Sequence, residues 1–234
     1  MSLVLRLGVL LLITATTLSR DMRTLKKVSI HPQETITIPC MYDEKHRANR
    51  KYLCQGSSWP LCHIVAHTGD KDKNVAVTDL PDQNMFTVTL TNLKHGETDY
   101  WCAVEIGGIF ALDEKVGFQL LVTEDPALSV DGGVIQSVVV GNVSVLCRYS
   151  PQHLYKANKR WCRFRDAWCV SVEGSDSQVQ VIDDVASLAL TVVMREVSGA
   201  DRGWYWCEVG DLQTPVYLDI TEASTSTKGY IKIT

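Results

Sequence analysis

Apolar and polar residues alternate in short runs along this chain. ETITIPC (34–40) and GNVSVLC (141–147) alternate up to a cysteine, and MFTVTLTNL (85–93) and SLALTVVMREV (187–197) do so further on. A period of two sends successive side chains to opposite faces, so each run predicts a strand with one buried face. Turn-rich segments separate the runs, which predicts β-sandwiches and an all-β fold. The N-terminus breaks the pattern. Residues Leu7 to Ala15 are apolar, with small and hydroxylated residues after them. That run is shorter than the roughly 20 residues of a membrane span. It reads as a secretory signal peptide over residues 1–19, removed near Ser19. No later stretch is long and apolar enough to cross a bilayer, so no membrane anchor is expected in this chain.

The eight cysteines fall at 40, 54, 62 and 102, then at 147, 162, 169 and 207. Their gaps are 14, 8 and 40 in the first set and 15, 7 and 38 in the second. One module is therefore repeated. The flanks repeat as well: RKYLC (50–54) answers KRWC (159–162), and DYWC (99–102) answers WYWC (204–207). A length of 234 residues suits two domains of about 100 residues each. The expected division is 20–123 and 124–221, joined at VTEDPALSV (122–130), a short acidic link with little slack. Residues 222–234 begin rich in Ser and Thr, as a stalk or tail would.

The long cysteine gaps fit the inter-sheet bridge between strands B and F of an immunoglobulin fold, giving Cys40–Cys102 and Cys147–Cys207. Tyr100 and Tyr205 stand two residues before the second cysteine, at the tyrosine-corner position. Trp161 sits where the buried strand C tryptophan packs on that bridge, and Leu53 replaces it in the first module. Cys54 and Cys62, like Cys162 and Cys169, would join strand C to C′, where antiparallel neighbours bring side chains within disulfide reach. Zinc sites show shorter ligand gaps and four convergent ligands. His63 and His67 have no counterparts in the second module, so no metal is expected. A catalytic redox pair would favour Cys-x-x-Cys near a βαβ unit, which is missing. A structural staple is the reading that remains.

These cysteine spacings, with RKYLC, MFTVTL and the two YWC ends, resemble the polymeric immunoglobulin receptor and CMRF-type leukocyte receptor family over residues 26–221. The resemblance implies two tandem V-type domains, each with the added C–C′ disulfide, in a short two-domain form like that of fishes. It also implies that the first domain's B–C loop, YDEKHRANRK (42–51), meets the heavy-chain constant regions of polymeric immunoglobulin. His46, Arg47, Asn49 and Arg50 fall on that loop, with Lys45 and Lys51 among its cations. Arginine suits such a contact because its planar fork holds an acceptor bidentately. V-type domains commonly pair an Asp six residues before the strand F cysteine with an Arg opening strand D. Gly96 takes the Asp position in the first module, Asp201 keeps it in the second, and neither module offers that Arg, so the bridge is expected to be absent.

Charge and motifs narrow the function. The net charge of −4 gives no sign of a nucleic-acid partner. Eight cysteines in an exported chain place it in an oxidising, extracellular compartment, on the plasma membrane if a membrane segment follows and secreted otherwise. No nucleophile elbow, phosphate loop or zincin motif occurs, so no enzyme and no cofactor are expected. The leading expectation is an immune recognition receptor for polymeric immunoglobulin or a related immune ligand. Its alternative is a receptor for anionic phospholipid head groups that regulates leukocyte signalling, with Asp113 and Glu114 as calcium ligands. The F–G loop contributes Ile109 and Phe110, apolar residues at a tip, suited to an interface or to lipid. The second module's YKANKRWCRFR (155–165) carries five cations on a strand expected to face water. Asn142 opens the N-glycosylation sequon.

Overall fold

The alternating runs become strands because each has one apolar face that only a packed interior can take. The structure is a computed structural model that describes residues 22–107, 112–132, 135–151 and 158–221. The expected signal peptide and tail, and Ile109 and Phe110, lie outside the described residues. In the first module the strands are β1 (Lys27–Ile30), β2 (Ile36–Met41), β3 (Lys51–Gln55), β4 (His63–His67), β5 (Val75–Leu80), β6 (Met85–Leu90), β7 (Gly96–Val104) and β8 (Glu114–Val122). In the second they are β9 (Leu128–Val130), β10 (Ile135–Val139), β11 (Gly141–Tyr149), β12 (Lys159–Arg163), β13 (Cys169–Ser171), β14 (Val179–Asp184), β15 (Ala189–Val197), β16 (Gly203–Val209) and β17 (Leu212–Thr221). Among the described residues no helix is long and apolar enough to cross a membrane.

Each module is two facing sheets. The first pairs β1-β8-β7-β3-β4 against β2-β6-β5, and the second pairs β10-β17-β16-β12-β13 against β9-β11-β15-β14. Strands β2, β3, β4, β7 and β8 are B, C, C′, F and G of an immunoglobulin sandwich, as are β11, β12, β13, β16 and β17. Four disulfides join Cys40–Cys102, Cys54–Cys62, Cys147–Cys207 and Cys162–Cys169. The first and third tie sheet to sheet, and the other two tie C to C′. Trp161 is fully buried and stacks on Tyr205 at 5.1 Å. Leu53 is equally buried in its place in the first core. Tyr205 Oη donates to the Asp201 carbonyl at 2.8 Å, which makes the tyrosine corner, whereas Tyr100 stacks on Phe118 at 5.4 Å.

The two modules touch. β1 lies beside β17 with Lys27 opposite Leu212, Lys26 N donates to Gln213 Oε1 at 2.7 Å, and Ser29 Oγ donates to the Leu128 carbonyl at 3.2 Å. Phe164 and Trp204 of the second module belong to the first module's buried cluster, with Trp206 and Tyr217 packed against it. These contacts are non-local and invisible to strand patterning.

The expected loss of the Asp–Arg bridge is only half right. Gly96 leaves the first module without one. In the second, Arg163 reaches Asp201 from β12 rather than from strand D, with Nη1 4.0 Å from Oδ1 and Nη2 donating to the Ala200 carbonyl.

Candidate functional site

The B–C loop leaves β2 at Met41 and returns to the sheet at Lys51. Asp43 caps the short 3₁₀ turn Glu44–His46 by accepting from Lys45 N at 3.0 Å, as a short acidic side chain does for orphan amides. The cations crowded in sequence are sorted by the structure. Lys51, expected among the loop's surface charges, is completely buried. Its Nζ donates to the carbonyls of His46 and Arg47, both at 2.9 Å, and to Asp79 Oδ2 at 2.8 Å. The Tyr42 ring lies 4.2 Å below it, and Tyr42 Oη donates to Asp79 Oδ1 at 2.9 Å. An ammonium leaves water only at a cost of several kcal/mol, so all of its donors must find acceptors. Here they do. Burial first, and then the hydrogen bond to Asp79, push the Tyr42 hydroxyl well above the usual phenol range.

The second module repeats this triad. Lys159 Nζ meets Asp183 Oδ2 at 2.6 Å over the Tyr149 ring at 4.6 Å, and Tyr149 Oη donates to Asp183 Oδ1 at 2.6 Å. Lys159 is buried, so the cationic run 155–165 does not simply face water as expected. Within the same run, Arg160 pairs with Glu208, which also accepts from Gln213 and Trp206. Burial alone would raise the Glu208 carboxyl, but those three donors outweigh it and hold the carboxyl below its ordinary value. The signal for the triad was in the sequence as Cys-x-Tyr and Lys-x-x-Cys in both modules. The aspartate was harder to find, standing at unequal distances from the first cysteine.

His46 is buried as well, with Nε2 2.9 Å from Glu114 Oε1 and Nδ1 3.4 Å from Asn49 Oδ1. Lys45 Nζ reaches the same Glu114 oxygen at 2.9 Å, so one carboxylate of β8 ties two neighbours of the loop. Burial opposes ionisation of Glu114, yet these two donors keep its carboxyl below the usual range. Asn49 Nδ2 donates to the Glu105 carbonyl at 2.8 Å, anchoring the other side of the loop. Asp113 accepts from Tyr52 Oη at 2.5 Å and from Ile106 N at 2.9 Å. The carboxylates weighed as calcium ligands are thus engaged by protein donors, and among the described residues no group of three or more potential ligands gathers around a metal position.

Arg47 and Arg50 are the loop's half-exposed arginines. Arg47 Nε donates to Asn84 Oδ1 at 2.7 Å, and Nη1 lies 3.3 Å from Glu44. Arg50 Nη2 lies 3.3 Å from Asp70, in the turn that follows β4. The arginines lean on different elements, one towards the D–E turn and the other towards C′. Exposed ion pairs of this kind contribute little to stability, so a competing acceptor displaces them readily.

A second unexpected feature is the stapled C–C′ segment. Trp59 folds over the outer face of β3 and β7, with its ring 6.0 Å from Trp101 and 6.3 Å from Tyr52, beneath Lys115 Nζ at 4.9 Å. Trp101 Nε1 donates to the Gly56 carbonyl at 2.8 Å. A Cβ at Gly56 would lie 2.8 Å from Cys62 Cα, so the staple requires glycine there.

No protein-family model matches the chain. It is 28% identical over 200 residues to the polymeric immunoglobulin receptor of Equus asinus, covering 76% of this chain and 26% of that receptor. It is 33% identical over 100 residues to the human CMRF35-like molecule 5, covering 40% of this chain and 49% of that molecule. The crystal structure of a teleost fish polymeric immunoglobulin receptor ectodomain shares 32% sequence identity over 87% of this chain and 100% of that one, with a TM-score of 0.41. The chain spans about a quarter of the length of the mammalian polymeric immunoglobulin receptors it matches.

Proposed function

The chain belongs to the family of the polymeric immunoglobulin receptors and CMRF35-like molecules, and on that premise we propose that it binds polymeric immunoglobulin, outside the cell, through the B–C loop of its first module. The observation that carries this reading is the sorting of the loop's charges. Lys51, His46 and Asn49 are turned to holding the loop, which leaves Arg47 and Arg50 half-exposed on a braced backbone. A braced loop loses little conformational entropy on binding, and two guanidinium forks offer bidentate donors to carboxylates or carbonyls of a partner. Ile109 and Phe110 are proposed as a further apolar contact. The domains are proposed as 20–123 and 124–221, with an N-glycan on Asn142, whose side chain is exposed on β11.

The test is binding of polymeric immunoglobulin by the Arg47→Ala, Arg50→Ala double variant, with thermal melting as the check on folding. We expect binding to weaken at least tenfold with the melt unchanged. Undiminished affinity in a folded double variant would refute the loop as the contact.

A further inference from the structure

We propose that the N-glycan of Asn142 lies back along the outer face of the second module's β14-β15-β11 sheet and covers a strip of aliphatic side chains there. It rests on the glycan proposed for Asn142. Alternation sorts β11 into two sets. Val143, Val145 and Cys147 are buried in the sandwich, while Asn142, Ser144, Leu146 and Arg148 face outwards. The asparagine and serine of the sequon therefore open the row of outward positions that leads to Leu146, about 13 Å further along the strand. Pairing across the sheet widens that row. Val193 stands between Ser144 and Gln180, and Thr191 between Leu146 and Ile182. Val193, Thr191 and Leu146 are partly exposed, and Ile182 is 42% exposed.

The long side chains that could shield this strip are tied to its two margins. Arg195 Nη2 donates to Gln180 Oε1 at 3.0 Å and Nη1 donates to the Ser177 carbonyl at 3.3 Å, both on the β14 side. Arg148 Nε donates to Asp131 Oδ1 at 2.9 Å, beside β9 at the opposite edge. An exposed apolar strip with a polar rim marks a contact surface.

Two observations select the glycan as the occupant. The first module has no sequon, and other residues hold the same positions of its β5-β6-β2 sheet. Counting from Cys40 and Cys147, Thr89 answers Val193, Thr78 answers Ile182, Thr37 answers Ser144 and Pro39 answers Leu146, while Thr87 and Thr191 are alike. There the hydroxyls of Thr37 and Thr89 share a hydrogen bond of 3.0 Å. The face without a sugar in reach carries hydroxyls, and the face beside the sequon carries aliphatic groups. The other observation is direction. Asn142 sits in the irregularity between β11 and β15, where Glu196 N donates to its Oδ1 at 3.3 Å. That holds the carbonyl oxygen against the sheet and leaves Nδ2 for the sugar. In the attachment Nδ2 loses a proton and takes the anomeric carbon of a lipid-linked oligosaccharide, whose pyrophosphate leaves. Pyranose rings carry C–H groups on their faces and hydroxyls around their rims. Core sugars laid on Val193 and Leu146 therefore bury the strip and keep their hydroxyls in water.

The test uses the full chain secreted from a eukaryotic host that makes high-mannose glycans, before and after endoglycosidase trimming to a single N-acetylglucosamine. Peptide mass mapping first reads the sugar on Asn142, and an unmodified Asn142 overturns both the glycan and its cover. With the sugar in place, trimming is expected to raise the fluorescence of anilinonaphthalene sulfonate about threefold, at an unchanged far-UV spectrum and melt. The Ile182→Thr, Val193→Thr variant installs the residues of the first module and keeps β-branched side chains on the strands. It is expected to show no rise on trimming. Unchanged dye binding after trimming of a glycosylated chain overturns the cover alone. So does a rise that the threonine variant retains, since the dye would then read another surface. A glycosylated chain that sediments as a dimer, and that the same two substitutions return to a monomer, assigns the face to a second copy and also overturns the proposal.

Discussion

Replacing Lys51 with methionine keeps the length of the side chain but removes its ammonium. It leaves Asp79 Oδ2 and the carbonyls of His46 and Arg47 without their donor. Breaking a buried pair by deleting one partner costs about 3–5 kcal/mol, because the other charge stays behind. Asp79 is 25% exposed, so water relieves part of its isolation and the lower end of that range, about 3 kcal/mol, applies. At about 4–8 °C per kcal/mol for a domain of this size, the first module should melt about 12–24 °C lower. Scanning calorimetry on the full chain reads this directly. Adding Asp79→Leu removes the stranded charge and should recover more than half of the loss, with the remainder reflecting the orphaned Tyr42 hydroxyl and loop carbonyls. The neighbouring change, Arg50→Met, should leave the melt within about 2 °C, since a half-exposed surface cation adds little. It should weaken capture of polymeric immunoglobulin instead. A loss below about 1 kcal/mol for Lys51→Met would refute the burial argument.

Tyr149→Phe keeps the ring beneath Lys159 but removes the 2.6 Å hydrogen bond to Asp183, and should cost about 1–2 kcal/mol in urea unfolding. Tyr42→Phe should cost about the same if the two triads are equivalent. Glu208 is held below its unfolded value of 4.5, so its stabilisation is complete above about that pH and drains away as pH falls through the folded value. Urea midpoints taken between pH 7 and pH 3 should therefore fall less steeply for Glu208→Gln than for the native chain. Gly117→Ala forces the Trp101 ring off β8 from its 3.1 Å approach, and should cost about 1–3 kcal/mol with a changed near-UV spectrum.

The strands, the repeat and the four disulfides were legible because each is written locally, in period-two alternation or in the spacing of cysteines. The loop's inner workings were not. RANRK (47–51) reads as a run of surface cations, and only Asp79, arriving from β5, turns its last member inward. His46 looks like a contact residue until Glu114, 68 positions away, is seen to pair with it. The tryptophan in GSSWPLC (56–62) gave no hint of direction either, since a residue in a loop has no periodicity to reveal its face. The Arg163–Asp201 bridge was missed for a related reason: its arginine comes from strand C, outside the position where that pairing was sought.

The clamp at Lys51 grips residues 46 and 47 by their backbone carbonyls, which every amino acid possesses. Side chains that take no part in holding the loop can therefore change without loosening this grip, whereas His46 also ties the loop through Glu114. Arg47 stands on such a position and Arg50 immediately before the clamp. The tip proposed for recognition can drift in sequence while its footing stays fixed, so a scaffold of this kind could be retuned through a few substitutions that folding does not penalise.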